Sequence, residues 1–357
     1  MKRALLPIAL FALLTYCLPL VSLLVPVLAD GAAGQSAPAA EEAGGEEGRS
    51  PAAQFLAPAA SGQEEQQPAG SAADSEVIRL WDAGSQQVLE VPLLEYLIGA
   101  AASEMPVTWP DEALKAQAVA SHSYALYQRD HASADKLEGA WFSADPARRQ
   151  GFVTKEVLQS YWGEAFEENW ARLESLFTPI LHQVLTFEGA PAAACYHAIS
   201  NGQTEASENV WNEALPYLAG VDSTLDLTAE GYEQTVTYTT QQMYDAIVLG
   251  VPGAEPEQGK PESWFGEASH TAAGYVAEIQ CAGVFVRGTD LRTALGLRSA
   301  CFDIQYADGV FSVTTKGYGH GVGLSQYGAN ALAKQGRTWQ EIVAWYYTGV
   351  TVGTYAT

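Results

Sequence analysis

The chain has 357 residues, of which 48% are hydrophobic, and its formal net charge at pH 7 is −24. This length and composition are sufficient for one large domain or two ordinary domains with a real hydrophobic core. The strong negative charge argues against a nucleic-acid-binding protein, because the surface of such a chain repels phosphate groups.

Residues 1–29 are predicted to form a short cytoplasmic stub and a transmembrane anchor. An uncharged run of 26 residues from Ala4 to Ala29 follows Lys2 and Arg3, and it is long enough to span a bilayer. Basic residues before the run and acidic residues after it predict a single-pass cell-membrane protein with a cytoplasmic N-terminus and an extracytoplasmic folded domain. A cleaved signal peptide is the alternative, because small residues follow the run.

Residues 30–76 are predicted to be a disordered tether. The segment is rich in Ala, Gly, Ser, Pro, Gln and Glu, and it holds nine acidic residues and one arginine. Such a composition buries too little apolar surface to offset the entropy of ordering the chain.

The folded region, residues 77–357, begins with a predicted hairpin and two helices. Residues 77–92 are typical of two short strands around a turn. A helix follows from Leu93 and is stopped by Pro106, and a second helix starts near Asp111. On the second helix, Lys115 and His122 lie on the same side, two turns apart. Residues 130–150 are predicted to be loop, and residues 153–177 an acidic, aromatic helical stretch.

The second half of the folded region is predicted to mix strands and helices. Strands are expected in 180–199, a turn at Asn201-Gly202, and a strand-rich segment 273–321 with one short helix inside it. A helix after Ser325 ends at Gly336, and a capping box at Thr338–Glu341 starts the last helix, which runs through Tyr347. Because βαβ alternation is absent, the prediction is one large α+β domain of packed helices and antiparallel strands.

The stretch "KGYGHGVG" places glycines at every second position around His320. Its spacing matches neither the dinucleotide fingerprint nor the P-loop. Alternate glycines favour a strand with one bare face, against which another backbone or a flat sugar can lie. The other interpretation is glycines for helix packing, with His320 as a hydrogen-bonding core residue.

The cysteines show no C-x-x-C spacing, so a zinc ribbon is not indicated. Outside the cytoplasm a disulfide is permitted, and Cys281 and Cys301 are the predicted pair because their segments flank one short helix. Cys195 is expected to be a buried thiol. A zinc hydrolase using Cys195 and His197 is a weak alternative, because two ligands without a third are not a site. His182 and His270 follow no pattern.

Three blocks carry a family resemblance: "LLEYLIGAAASEMPVTWPDEALKAQAVASHSYAL", "CYHAISNGQTEASENVW" and "GYGHGVGLSQYGANALAKQGRTWQEIVAWYY". In this order they resemble the stage II sporulation protein D family, whose domain is shared with amidase-enhancer proteins. The resemblance covers about residues 77–355.

The resemblance implies a peptidoglycan lytic transglycosylase, which cleaves the bond from N-acetylmuramic acid to N-acetylglucosamine in glycan strands stripped of stem peptides. The family's catalytic acid corresponds to Glu104 in "SEMP". One catalytic glutamate is enough for such a reaction. A hydrolase needs two carboxylates, whereas in a lytic transglycosylase the muramic acid C6 hydroxyl attacks, and a single carboxyl group can act as both acid and base. At the end of an apolar helix, desolvation is expected to raise the pKa of Glu104.

Lys115 and His122 are expected to reach the same cleft as Glu104. The chain departs from the family at His122, where "ASHSYAL" replaces the usual "AARTYAL", so a residue that titrates near neutrality replaces a permanent charge. Further candidates for sugar contacts are stacking aromatics, hydrogen-bonding residues and the glycine-rich wall: Tyr196, Trp211, Ser200, Asn201, Ser325, Gln326 and His320. A core or turn role is equally compatible with each of these.

No cofactor and no metal are expected. Some relatives carry a cysteine and histidine zinc site in the loop after the second helix, but here only His131 is present, without a cysteine between 130 and 190. The implied partners are peptidoglycan glycan strands, a cell-wall amidase and other membrane proteins of the sporulation and engulfment machinery. A non-catalytic, peptidoglycan-binding amidase enhancer is the alternative function, against which the intact "SEMP" motif argues.

Overall fold

A computed structural model describes residues 76–132, 137–211 and 213–355. The predicted anchor, and the predicted tether apart from Glu76, lie outside the described residues. Within the described ranges, none of the helices combines the length and apolar character needed to cross a bilayer. Residues 76–355 belong to one compact unit, which mixes helices with several small, mainly antiparallel sheets.

The secondary structure elements are as follows. The helices are α1 Leu93–Glu104, α2 Asp111–His131, α3 Lys155–Trp162, α4 Phe166–Phe177, α5 Ser207–Trp211, α6 Thr240–Gly250, α7 Gly288–Leu295, α8 Gln326–Lys334 and α9 Trp339–Tyr346. The strands are β1 Val77–Asp82, β2 Gln87–Pro92, β3 Phe142–Ala144, β4 Gln183–Phe187, β5 Ala190–Pro191, β6 Tyr196–His197, β7 Glu233–Thr239, β8 Phe265–His270, β9 Val276–Cys281, β10 Val284–Arg287, β11 Phe302–Ala307, β12 Val310–Lys316, β13 Leu324–Ser325 and β14 Thr351–Thr354. Short 3-10 turns cover Pro146–Arg148, Gly163–Ala165, Thr178–Ile180, Thr224–Thr228 and Pro261–Ser263.

The largest hydrophobic core among the described residues surrounds helix α2. The predicted hairpin is confirmed, since β1 and β2 pair antiparallel with Val77 opposite Pro92. Strand β3 adds to β1 in parallel, inside a segment that we predict from sequence to be loop. The three-stranded sheet β14-β4-β5 covers another side of α2. Twelve of the 21 residues of helix α2 are therefore buried.

The second core joins α6 and α7 to the antiparallel sheets β10-β9-β8 and β11-β12-β7. Its centre includes Met243, Ile247, Leu291 and Val313, all fully buried. The strands and the short helix that are expected in segment 273–321 are present between Val276 and Lys316, whereas helix α6 is not predicted from the sequence. These two larger cores and a small cluster of Ala273, Tyr275 and Ala300 lie within one compact unit.

The glycine-rich loop, residues 316–323, is not the strand that alternate glycines favour. Gly317, Gly319, Gly321 and Gly323 all have positive φ, between 73° and 115°, a region that an extended strand does not use. A Cβ at Gly323 would lie 2.1 Å from the carbonyl oxygen of Cys195. The glycines therefore allow this loop to lie directly against the backbone of 195–200.

The predicted disulfide between Cys281 and Cys301 is wrong. Cys195, Cys281 and Cys301 are free thiols. Cys281 ends β9 in one sheet, and Cys301 directly precedes β11 in the other. The Cys301 thiol donates to the carbonyl oxygen of Gly274 at 3.5 Å. Proximity in sequence around α7 thus does not bring the two sulfur atoms together.

Candidate active site

Glu104 is the last residue of α1, and the chain leaves the helix directly after it. The backbone N–H of Met105 still donates to Ala101, but Pro106 has no N–H and cannot continue the helix. Met105 is buried, whereas Glu104 is partly exposed. The carboxyl group therefore lies where a buried helix reaches the surface.

The side chain of Gln326 holds this carboxyl group. Gln326 Nε2 donates to Glu104 Oε2 at 3.0 Å and to Gln117 Oε1 at 3.4 Å. Gln117 Nε2 in turn donates to Ser121 Oγ at 3.1 Å. These partners are buried, so the amide groups have little freedom to turn away. Gln326 is among the candidates from the sequence, whereas Gln117 is not, because nothing in the sequence marks a glutamine inside a helix as buried.

Burial raises the pKa of Glu104, and the hydrogen bond from Gln326 opposes part of that rise. Desolvation disfavours the ionised carboxylate, while an N–H donor stabilises it. Among the described residues, no donor reaches the other oxygen, Oε1. The site thus contains a carboxyl group that keeps its proton to a higher pH than an ordinary glutamate and has one oxygen open.

The turn after Glu104 is clamped by Arg172 of α4. Its guanidinium donates to the carbonyl oxygens of Val107 and, at 3.0 Å, of Trp109, and pairs with Asp111 at 2.5 Å. Trp109 lies edge-on to Tyr327, with ring centroids 5.0 Å apart. This aromatic pair borders the helix end that carries Gln326. Nothing in the local sequence around Arg172 indicates the clamp, because its partners are more than 60 residues away.

The start of α8 is fixed by the buried carboxylate of Asp226. This group accepts from Ser325 Oγ at 2.8 Å, from Ser223 Oγ at 3.0 Å and from the backbone N–H of Ser200 at 2.8 Å. Ser325 Oγ also caps α8 by accepting from Gly328 at 3.2 Å. Ser200 and Ser325, both sequence candidates for sugar contacts, are buried here in a structural network.

Lys115 pairs with its own helix. Its Nζ lies 2.8 Å from Glu112 Oε1, and Glu112 Oε2 accepts from the backbone N–H of Trp339 at 2.7 Å. The lysine therefore helps to join α2 to the start of α9. Within the described ranges it makes no hydrogen bond to Glu104, and a substrate contact for it stays a prediction.

His122 faces strand β4 instead of the network of Gln117 and Gln326. Its ring is 2% exposed, and Nδ1 lies 3.2 Å from the carbonyl oxygen of Gln183. Burial lowers its pKa to about 4. The expectation that His122 titrates near neutrality is therefore wrong, because the sequence gives no sign that this helix face is covered by a sheet.

His320 lies between two other ring side chains. Its ring centroid is 5.0 Å from that of Trp211 and 5.8 Å from that of His197. The backbone N–H of Val322 donates to His320 Nδ1 at 3.1 Å, and a hydrogen bond with the backbone of Tyr196 orients the ring. Burial lowers its pKa well below the usual range. His320 is thus a neutral residue of the glycine-rich loop that is packed against Trp211 and His197 and bonded to the backbone of Tyr196.

Metal ligation has no geometric support within the described ranges, where no three His, Cys, Asp or Glu side chains are grouped as ligands. His131 is exposed and stacks on Tyr127, with ring centroids 4.0 Å apart. Burial raises the pKa of the Cys195 thiol to about 12, and His197 Nδ1 bonds the carbonyl oxygen of Val322. Cys195 therefore remains a thiol, which is a poor metal ligand.

Comparison with known proteins identifies the family. The model of the stage II sporulation protein family matches residues 82–187, which include α1, Glu104 and α2. Stage II sporulation protein D of Bacillus subtilis (strain 168) is 34% identical over 276 residues, which cover 77% of this chain and 78% of the relative. The chain belongs to the stage II sporulation protein D family.

Other relatives extend this family. Stage II sporulation protein D of Bacillus amyloliquefaciens is also 34% identical over 276 residues. The amidase enhancer of Bacillus subtilis (strain 168) is 25% identical over 317 residues, and the chain covers 40% of its length. The family resemblance predicted from the three sequence blocks is confirmed, and it places this chain among proteins of sporulation.

Proposed function

We propose that this family member is a lytic transglycosylase of sporulation. It cleaves the bond from N-acetylmuramic acid to N-acetylglucosamine in peptide-stripped peptidoglycan, with Glu104 as acid and base. The observation that carries the proposal is the carboxyl group of Glu104, with its raised pKa and its single amide partner, Gln326. Such a group is suited to donate a proton at a pH where ordinary glutamates are ionised.

The reaction needs one carboxyl group used twice. Protonated Glu104 donates its proton to the glycosidic oxygen, the bond from this oxygen to the muramic acid C1 breaks, and the N-acetylglucosamine leaves as an alcohol. The carboxylate then accepts the proton of the muramic acid C6 hydroxyl, whose oxygen bonds to C1 and closes a 1,6-anhydro ring. The carboxyl group ends as it began, and no water is consumed.

The amide of Gln326 supports both halves of this cycle. Its N–H donates to one carboxyl oxygen in either protonation state, which keeps the group oriented while the other oxygen exchanges the proton. In the second half, when Glu104 is ionised and desolvated, this donor stabilises the negative charge. The half-exposed pair of Trp109 and Tyr327 offers aromatic surface for a sugar face next to the carboxyl group.

The second candidate is an amidase enhancer without its own chemistry, and the relative of that name favours it. An enhancer needs neither a protonated carboxyl group nor its amide support. The intact arrangement of Glu104, Gln326 and Gln117 therefore favours the enzyme.

Product analysis tests the choice. The purified protein is incubated with peptide-stripped glycan strands, and the products are analysed by mass spectrometry with and without borohydride reduction. The transglycosylase produces 1,6-anhydro-muramic ends, which borohydride does not reduce, and Glu104→Gln lowers their rate of formation by about two to four orders of magnitude. Only water-terminated, reducible ends, or no cleavage by a protein that still stimulates an amidase, would overturn the proposal.

We also propose the cellular arrangement that the N-terminal sequence predicts. The run Ala4–Ala29 anchors the protein in the cell membrane, and the folded domain works outside the cytoplasm on peptidoglycan. A cell-wall amidase that strips the stem peptides and other membrane proteins of the same machinery are the proposed partners.

A further inference from the structure

Asp226 is a fully buried carboxylate that the proposed mechanism does not use. It lies in the 3-10 turn Thr224–Thr228 and is 0% exposed. None of the ion pairs within the described ranges includes it. Burial raises its pKa, and hydrogen bonds from serine residues oppose part of the rise. A buried charge without a cation is costly for the fold, and such costs are typical of functional sites.

The two oxygens of Asp226 hold different parts of the chain. Oδ2 accepts from the backbone N–H of Ser200 and from Ser223 Oγ, whereas Oδ1 accepts from Ser325 Oγ at 2.8 Å. A hydroxyl group has one hydrogen to donate. Because that of Ser325 is directed to Asp226, its lone pairs face the backbone N–H of Gly328, which donates to it at 3.2 Å and caps α8. The carboxylate therefore sets the direction of the capping hydroxyl.

The cap of α8 is followed directly by the residue that holds the catalytic group. Gln326 is the first residue of α8, and it donates to Glu104 Oε2 at 3.0 Å. The same helix turn lies tightly on the buried network. A Cβ at Gly328 would lie 3.2 Å from Asp226 Oδ1 and 2.0 Å from the hydroxyl oxygen of Tyr346. The start of α8 thus has little room to shift while the carboxylate is in place.

We propose that Asp226 is a positioning residue for the catalytic carboxyl group of Glu104. It orients the Ser325 cap, which fixes the start of α8 and keeps the Gln326 amide on that carboxyl group. This inference rests on the proposed function, in which Glu104 is the acid and base. It assigns Asp226 to the protonation equilibrium of the catalytic group, in addition to its place in the fold.

Two effects of Asp226 on Glu104 have opposite signs. A negative charge acting at a distance favours the protonated form of Glu104, so its loss would lower the pKa of Glu104. The hold on Gln326 favours the ionised form, because the amide N–H donates to the carboxylate and lowers its pKa. Loss of that hold would raise the pKa of Glu104. The direction of the shift therefore distinguishes positioning from simple electrostatics.

Asp226→Asn tests the proposal, because asparagine has one side-chain oxygen and cannot accept on both the Ser325 and the Ser200 side. The basic limb of the pH profile of kcat/KM on stripped glycan strands should move to higher pH. The expected shift is up to about one pH unit, as for the loss of one hydrogen bond. Combined with Gln326→Leu, the change should add nothing to the shift of Gln326→Leu, because both remove the same amide contact. An unmoved limb, a shift to lower pH or additive shifts would overturn the proposal.

Ser325→Ala provides a second test that does not depend on the folding of Asp226→Asn, which circular dichroism checks. It cuts the link to α8 but keeps the charge of Asp226. The limb should again move to higher pH, with nothing added to the shift of Gln326→Leu. A folded Ser325→Ala variant with an unmoved limb would overturn the proposal.

The matched control is Glu205→Gln. Glu205 is also a buried carboxylate, 2% exposed, which accepts from Thr271 Oγ1 and Asn209 Nδ2. These partners belong to neither α8 nor its cap. The variant should leave the basic limb in place. A shift as large as that of Asp226→Asn would mean that the loss of any buried carboxylate alters Glu104, which would also overturn the proposal.

A titration without turnover gives the pKa of Glu104 independently of activity. The free energy of unfolding of each protein and of its Glu104→Gln counterpart is measured across pH. The pH above which their difference becomes constant is the pKa of Glu104 in the folded protein. Side chains that share an electric field with Glu104 or Asp226 include four tyrosines, whose pKa is raised by burial so that they stay neutral: Tyr96, Tyr232, Tyr275 and Tyr346.

The two proposals fail separately in these measurements. If the pKa of Glu104 rises in Asp226→Asn but the wild type forms no anhydro-muramic ends, the positioning role stands and the transglycosylase is wrong. If anhydro ends form while neither the pKa nor the basic limb moves in Asp226→Asn, the enzyme stands and the role of Asp226 is wrong.

Discussion

Gln326 donates from Nε2 to Oε2 of Glu104 across 3.0 Å, although 222 residues separate them in the sequence. The bond joins the C-terminal end of α1 to the first turn of α8. Glu104 lies within residues 82–187, which the family model matches, whereas Gln326 lies far outside them. Completion of the site therefore depends on the packing of α8 against α2, and changes at either helix should alter the carboxyl group.

Glu104→Gln should reduce turnover by about two to four orders of magnitude, because the proton donor is lost while the shape is kept. The same change removes a carboxylate whose burial is unfavourable. Because the pKa of Glu104 is raised in the folded state, the wild type loses stability as pH rises from about 4.5 through the folded pKa. Denaturant unfolding should find the variant more stable than wild type at pH 7 and similar below pH 4. Greater stability of the wild type at pH 7 would contradict this.

Gln326→Leu should raise the pKa of Glu104 further, because the hydrogen bond that opposes the effect of burial is removed. The basic limb of the pH profile of kcat/KM, where the acid loses its proton, should move to higher pH. The measurement is turnover of stripped glycan between pH 4 and 9. The control is Gln335→Leu at the exposed end of the same helix, which should leave the limb in place. A shift to lower pH in Gln326→Leu would refute the role given to this amide.

The local elements were predictable because their signals are local. Pro106 ends α1, and the Thr338–Glu341 capping box is present. Long-range contacts have no comparable marker in the sequence. Arg172 reaches the turn after Glu104 from α4, and Asp226 joins Ser200 to Ser325; each bond spans residues that only the tertiary fold brings together. For the same reason the sequence-based prediction wrongly pairs Cys281 with Cys301, and it places His122 in an open cleft instead of on a helix face under β4.

His122 should contribute to acid destabilisation. Its folded pKa of about 4 lies below the ordinary value of about 6.5, so its stabilising contribution is complete above pH 6.5 and is lost as pH falls toward 4. The difference corresponds to on the order of 3 kcal/mol for such a shift. His122→Gln, which keeps a donor toward Gln183, should show a shallower loss of unfolding free energy between pH 6.5 and 4. Parallel curves for the two proteins would mean that the His122 ring accepts a proton in the folded state as readily as in the unfolded chain.

The proposed topology predicts that protease reaches the domain from outside. Protease added to intact spheroplasts should release a soluble fragment that begins near residue 77, because the tether in 30–76 is predicted to be unfolded and the domain compact. Lysis should change nothing further. Protection in intact cells followed by cleavage only after lysis would reverse the orientation.

Gly323→Ala should disrupt the packing of the glycine-rich loop. The residue has φ 73°, and its Cβ would lie 2.1 Å from the carbonyl oxygen of Cys195, so either the loop or the backbone of 195–200 must move. The matched control is Gly336→Ala, with φ 85° but nothing within 4 Å of the added carbon. In denaturant unfolding, the free energy of unfolding of the control should fall only by the cost of a left-handed backbone at a residue with a Cβ, about 1 kcal/mol. The free energy of unfolding of Gly323→Ala should fall clearly more. Because β13 and Gln326 follow the loop directly, its kcat should fall as well. Equal losses in the two variants would show that the approach to Cys195 is easily relieved.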